Sequence, residues 1–442
     1  MKRKMRLSFM VPCAISGLLL LMAFFLNTQL AMARYQYEFT PSISVSETYD
    51  DNIYLDSFDE TSDYITSVSP GLSLRGLSPQ GELEIAYTPT FVWYGKEDQN
   101  DTVRHLGALS FGQSLTQHLR VDLSNAYIFS EEPIETTEEV TGVRRTLDER
   151  FPYQRNTFEG SFRYLFGPEN TITAGYRNDL LSNEKYDAPF ETLTPDDGTI
   201  QTPYGSLAYW FNDRNGVEVS YEYVSANFSQ KSGAEAGDDY EGHGTGIDYI
   251  YRFTRYSRVF AGYAVTIRDF DGDEEDYSIH EGSAGLEHAF SPNTSIFLRL
   301  GYFVVDNEDS DDDTGPTYEA SLDKTFSWGT FRVGGTGGYN EAYLEAERRG
   351  LTLYWSVFAN IEYQFLEDLS GYAGGSYRWD EESDDNEFVT WRGNVGLRWT
   401  LLRWLSAALD YTYAERDDDV DFDDYVVNRI SLTLSASEFY RR

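Results

Sequence analysis

Apolar and polar residues alternate strictly within segments of about ten residues, and this pattern recurs along most of the sequence. It constrains the chain more than any other feature. Residues 351–365 carry it clearly. Leu351, Leu353, Trp355, Val357, Ala359, Ile361, Tyr363 and Phe365 share one parity. Thr352, Ser356, Asn360, Glu362 and Gln364 share the other, with Tyr354 and Phe358 among them. A strand sends successive side chains to opposite faces, so such a segment has one apolar and one polar face. The same split sets Leu83, Ile85, Tyr87, Phe91 and Trp93 against Glu82, Glu84, Thr88 and Thr90. Aromatic residues gather at segment ends. The chain has 34 Tyr, 28 Phe and 8 Trp, yet its mean hydropathy is −0.49. Half-apolar strands explain that combination better than an oily core does.

The connections alternate too. Short ones at residues 76–80, 167–170, 212–215, 291–293 and 327–329 hold the Pro, Gly, Asn and Asp of tight turns. Between them lie longer acidic ones at 50–63, 131–150, 182–199, 269–276, 306–313, 380–387 and 415–424. Strands joined in this way predict an all-β transmembrane antiparallel up-and-down β-barrel of about 20 strands (roughly 18–22), with short periplasmic turns and long acidic extracellular loops. Soluble sandwiches or a propeller are the competing all-β reading.

Residues 1–33 read as a secretory signal: Lys2, Arg3, Lys4 and Arg6, then an apolar stretch from Leu7 to Leu26, then Ala31-Met32-Ala33 as the cleavage site. Residues 34–442 read as one barrel domain, with no composition break to mark an N-terminal plug. The one cysteine, Cys13, falls inside the signal, so no disulfide is expected in the mature chain. No later apolar run approaches the ~20 residues of a membrane helix. The expected location is the outer membrane.

The formal charge is −39, and without clustered Lys and Arg the chain is not expected to bind nucleic acid. The carboxylates lie mainly in the long connections. Asp269, Asp271 and Asp273, then Asp311, Asp312 and Asp313, then Asp419 and Asp421 are candidate ligands for Ca²⁺ or Mg²⁺, which prefer carboxylate oxygens. Solvated charge that keeps the loops soluble is the competing reading. No other cofactor is expected. Parity assigns Arg120, Arg163, Arg258, Arg299, Arg392 and Arg398 to the lumen, with Glu84, Asp122, Glu218, Glu222, Glu287, Asp323 and Asp410. A cation facing lipid at mid-membrane would cost about 2–4 kcal/mol. These charges either form opposed rows that select permeants or pair across strands to hold the wall. His280 and His288 share a face but stand too far apart to share a metal. With no Gly-x-Ser-x-Gly, His-Glu-x-x-His or phosphate-binding glycine loop, the chain is expected not to be an enzyme.

The segment Pro41-Ser42-Ile43-Ser44-Val45-Ser46-Glu47-Thr48-Tyr49-Asp50-Asp51-Asn52-Ile53-Tyr54-Leu55, followed by Val68-Ser69-Pro70-Gly71-Leu72-Ser73-Leu74 and Tyr87-Thr88-Pro89-Thr90-Phe91, resembles an outer-membrane β-barrel, porin-like family associated with exosortase and exopolysaccharide gene clusters in Gram-negative bacteria. The match covers the first hundred or so residues. It implies an outer-membrane barrel linked to exopolysaccharide export and carries no catalytic residues; a strand count above the roughly 16–18 of porins, whose lumen already holds an aqueous channel, points to a porin-like channel or export conduit. The expected partners of such a barrel are the outer membrane and its lipopolysaccharide and the barrel assembly machinery, to which the resemblance adds exopolysaccharide export components. The alternative is a non-conducting surface barrel that binds divalent cations or polysaccharide through its acidic loops. One departure is the C-terminus: the expected terminal aromatic is displaced to Phe439-Tyr440, ahead of Arg441-Arg442.

Overall fold

The computed structural model describes residues 36–132, 134–136, 141–143, 150, 152–183, 197–229, 239–272, 274–307, 313–342, 350–382, 386–419 and 424–441. The signal segment lies outside them. Twenty antiparallel strands form one closed barrel, each paired with its neighbours in chain order. They run from Gln36–Asp50 to Tyr425–Ser437 and span 12 residues (Leu119–Ser130) to 17 (Gly350–Leu366). Among the described residues the one helical element is a short 3₁₀ turn at Asp98–Asn100. Closure pairs the first strand with the last, from Ser42 opposite Ser437 to Asp50 opposite Arg429. Side-chain hydroxyls reinforce the seam on its inner face: Ser46 to Thr433 and Thr48 to Ser431, each at 2.8 Å. The displaced C-terminal aromatic extends the same seam, with Tyr440 opposite Phe39 and the two rings stacked at 6.2 Å. Closure removes the unpaired sheet edges that an open sheet of this length would expose.

All short turns lie at one end, where both termini of the barrel also lie, and all longer connections lie at the other. The short-turn end has two-residue hairpins that the composition reading missed, at residues 255–256, 367–368 and 403–404. Each of these carries a register shift beside it, a bulge of the kind that lets a strand turn tightly.

The outward face is apolar along its length, with Ile43, Leu74, Leu300, Val395 and Leu432 all exposed. Two aromatic bands bound it, as a membrane barrel requires. Near the short turns they include Phe211, Phe290, Phe365 and Trp404. Toward the other end, tyrosines of rising strands reach polar side chains of the strands that follow. Tyr87 Oη meets His105 Nδ1 at 2.8 Å, Tyr221 meets His243 at 2.9 Å, Tyr263 meets His280 at 2.7 Å, and Tyr411 donates to Asn428 at 2.7 Å. Each of these partners is the fourth residue of its strand, so the pairs mark one level around the wall. His280 and His288 share the outward face, as their parity requires.

Candidate functional site: a lumen closed at one end

Each charged residue assigned to the lumen has the parity of the inner face. Several of these charges form local pairs. Arg120 donates to Asp122 at 2.7 Å, Arg258 to Glu287 at 2.6 Å and Arg299 to Asp248 at 3.2 Å; Arg332 lies 3.3 Å from Asp323. Glu84 stands 3.9 Å from Arg75. Asp410 accepts from the Tyr372 hydroxyl, and the Arg398 guanidinium lies 4.8 Å from the centre of the Tyr372 ring. Arg163 sits opposite Arg120, and Glu218 opposite Asp248. Glu222 lines a wall recess of about 390 Å³ with Glu159, Arg177 and Tyr204. Arg392 faces inward near the long-connection end, and its Nε has no hydrogen-bond partner among the described residues. Half-exposed pairs of this kind contribute about 0–1 kcal/mol each, so they neutralise and orient the wall more than they stabilise it.

Inner-face side chains are mostly part-exposed toward the short turns, with Ile250 and Phe260 buried there, and are more often buried toward the long connections. Ile65, Val92, Tyr94, Val224, Tyr240, Ile279, Phe303, Tyr425 and Val427 are all buried near the long-connection ends of their strands. A hollow barrel of this circumference leaves inner side chains wet. Two segments folded into the mouth supply much of the cover, while Val224, Ala226 and Tyr240 pack with Ile200, Phe228 and Phe270 of the wall.

The first is the connection at residues 51–62. Ile53 and Leu55 are fully buried. Ile53 packs on Ile65, Val92 and Tyr94, and Leu55 on Ala414, Tyr425 and Val427, all inner-face residues. Each burial stabilises the folded-in segment by about 1.5–3 kcal/mol. Part of that offsets Leu55, which holds φ 57°, a left-handed conformation rare for a branched residue. Polar side chains staple the segment. Asn52 Nδ2 donates to the carbonyls of Asp56 at 2.8 Å and Val426 at 3.0 Å. The Asp50 carboxylate accepts from the Asn52 N–H at 3.0 Å, and Asp51 accepts from Asn428 N–H at 2.6 Å. These are the residues that carry the family resemblance.

A charge cluster lies beneath. Glu132, just beyond the end of strand Leu119–Ser130, lies 2.5 Å from Arg104, 2.6 Å from Arg150 and 3.3 Å from Arg429. Arg104 also pairs with Glu131 at 2.5 Å, and Arg429 with Asp50 at 2.7 Å. Arg150 donates to the Ile53 carbonyl at 2.6 Å. Burial alone would raise the Glu132 carboxyl, but Arg104, Arg150 and Arg429 outweigh it and hold the group well below the usual carboxylate range. Arg104 and Arg429 stand on strands four steps apart around the wall, so Glu132 ties together a chord of the barrel.

The second segment is the tip of the hairpin formed by strands Gly329–Ala342 and Gly350–Leu366. Pairing with strand Thr314–Phe326 stops at Gly337, while the hairpin itself stays paired to Ala342 and Gly350. Gly338 has φ 150° at the point of departure. From there Tyr339 meets Phe303 at 5.2 Å between ring centres, and Leu351 and Leu353 pack with it against Tyr277, Ile279, Phe303 and Val305. Glu341 accepts from Arg268 and from Tyr277, each at 2.7 Å. Leu351 and Leu353 therefore leave the outward row to which their parity assigned them. The strand bends, and the bend carries both of its faces into the mouth.

The connection at residues 131–150 contributes Glu131, Glu132 and Arg150, whereas residues 184–196 of the connection at 182–199 lie outside the described residues. Sequence reasoning missed 51–62 and the hairpin tip. The signal was available in 51–62: Ile53 and Leu55 are apolar residues in an acidic connection. Of the candidate metal ligands, Asp269, Asp271, Asp313 and Asp419 are exposed. Asp273, Asp311, Asp312 and Asp421 lie outside the described residues. Among the described residues no three carboxylate or histidine groups converge on a metal-sized site. Ser257 Oγ and His288 Nδ1 lie 2.6 Å apart, but Ser257 also accepts from Thr254, and among the described residues no carboxylate hydrogen-bonds the ring.

No family model and no curated protein matches the sequence. Among solved structures, the chain is similar to the ferric citrate transporter FecA in its unliganded form, with TM-score 0.53 and 10% identity over 91% of this chain and 78% of that one. It is also similar to a mutant ferric enterobactin receptor PfeA from Pseudomonas aeruginosa, with TM-score 0.51 and 8% identity over 90% and 80%. At these identities the likeness is one of fold.

Proposed function

We propose that the chain is a porin-like outer-membrane channel or export conduit whose cell-surface mouth is closed by its own residues 51–62 and by the inward-bent strand ends at 338–342 and 350–353. The observation that carries this reading is the change along the inner wall. A polar, accessible lumen starts at the short turns and ends under two inward-folded segments held by buried ion pairs. A purely structural wall has no need to bury Glu132 among three guanidiniums, since buried ion pairs are a weak source of stability. A contact that must form and break is a better use for them. In this reading the long connections face outward, lipopolysaccharide surrounds the belt between the aromatic bands, and the barrel assembly machinery inserts the chain. The resemblance at residues 41–55 adds a link to exopolysaccharide export, and the lumen's paired charges and tyrosines suit a hydroxyl-rich cargo, which both donates and accepts hydrogen bonds.

The closed mouth also favours a second reading, a non-conducting surface barrel that binds polysaccharide or divalent cations outside. Planar-bilayer recordings separate the two. Wild-type protein and a variant with residues 52–60 replaced by a short glycine linker are reconstituted in parallel. A stable conductance in the variant, with little in the wild type, supports the gated channel. A folded variant that stays silent supports the surface barrel.

A further inference from the structure

The short-turn end of the lumen holds a feature that the net charge of −39 does not lead one to expect. A recess of about 700 Å³ opens there between two adjacent turns. Four arginines line it, Arg214, Arg252, Arg255 and Arg258, against two carboxylates, Asp213 and Glu287. Arg258 is neutralised by Glu287 at 2.6 Å. Arg252 is held in place: its Nη1 contacts Glu169 at 2.5 Å, and its guanidinium lies 3.5 Å from the centre of the Trp210 ring. Arg255 lies over the Tyr256 ring at 4.6 Å. Neither Arg214 nor Arg255 has a carboxylate partner among the described residues, and both are exposed. The recess is thus locally cationic, with two uncommitted guanidiniums.

We propose that this recess is an anion-binding site that takes phosphate or carboxylate groups at the short-turn mouth of the lumen. A guanidinium presents a planar fork of donors that matches either group with two parallel hydrogen bonds. Stacking on Trp210 and Tyr256 fixes two of the four before a ligand arrives, which lowers the ordering cost of binding. The recess is larger than a single phosphate needs, so it admits a diphosphate or the acidic segment of a polymer. The acidic connections at the opposite end would repel the same ligand, which gives an anion a preferred end at which to enter. The site does not depend on conduction and stands or falls by binding alone.

The test uses the full folded chain in detergent, with inorganic pyrophosphate and poly-L-glutamate as probes in titration calorimetry. R214Q/R255Q removes the two uncommitted charges in exposed turns. R75Q removes an arginine at the same end but outside the recess. Gel mobility with and without heating confirms that each variant is folded. Losing charge-assisted hydrogen bonds should weaken binding about tenfold or more in R214Q/R255Q and leave R75Q unchanged. Binding of pyrophosphate assigns the site to small free anions, and binding of poly-L-glutamate alone assigns it to acidic polymers. Equal affinity in R214Q/R255Q and wild type, an equal loss in R75Q, or no binding of either probe by folded wild type would overturn the proposal.

Discussion

Replacing Glu132 with Gln keeps the side chain's shape and removes the one carboxylate shared by Arg104, Arg150 and Arg429. The three cations are not equally affected. Arg104 keeps Glu131 and Arg429 keeps Asp50. Arg150, whose side chain is 1% exposed, loses its ion pair while still committed to the Ile53 carbonyl. Removing one member of a buried pair costs about 3–5 kcal/mol, because the other charge is left uncompensated. Glu132 is itself 19% exposed, and Arg150 can swing outward, so the lower part of that range is expected. The strain falls on the folded-in segment rather than on the barrel, whose ladder of backbone hydrogen bonds does not include these groups. At about 1.4 kcal/mol per tenfold, the closed-to-open ratio of the mouth should fall by roughly a hundredfold or more. Planar-bilayer recording should therefore show E132Q open far more of the time than wild type, with unchanged resistance to heat in detergent. E132Q/R150Q, which removes both charges, should recover most of the closure. A folded E132Q that conducts as wild type does, or a double variant that opens further, would refute the idea that this pair holds the mouth shut.

The same carboxylate gives a pH dependence. Its value in the closed state lies below the ordinary 4.5, so its contribution is complete above that value and is lost as pH falls beneath it; conductance should rise on acidification below about pH 4.5 and the rise should vanish in E132Q. G338V should destabilise the inward bend by about 1–3 kcal/mol, since φ 150° is disallowed to a β-branched residue, and cysteine labelling at position 341 should become faster. On the lipid face, V395R should cost about 2–4 kcal/mol and reduce assembled barrel on gels, whereas T412R on the inner face should assemble normally.

The barrel was legible in the sequence because a strand's two faces are local. The parity of Leu83, Ile85 and Tyr87 against Glu82 and Glu84 fixes which side faces lipid, whatever the partner strand. The turns were legible where Gly, Pro and Asn mark them, and were missed at Arg255-Tyr256, where a bulge does the work of special residues. The inner-face charges were legible by parity, but not who pairs with whom: Arg299 meets Asp248 three strands away, and no alternation encodes that distance.

The amino-acid sequence by itself determined a closed antiparallel barrel, its outward and inward faces and its acidic connections, since each follows from period-two patterning and turn chemistry within a few residues. Only the tertiary structure decided that the mouth is shut. Ile53, Glu132, Arg150 and Arg429 are far apart in the chain and come together only after twenty strands have closed. The bend at Gly338 likewise gains its reward from Phe303 and Arg268, on strands that it does not pair with. Burial and ion pairing depend on what closure brings near, and that information is distributed over the whole ring rather than written in any one segment.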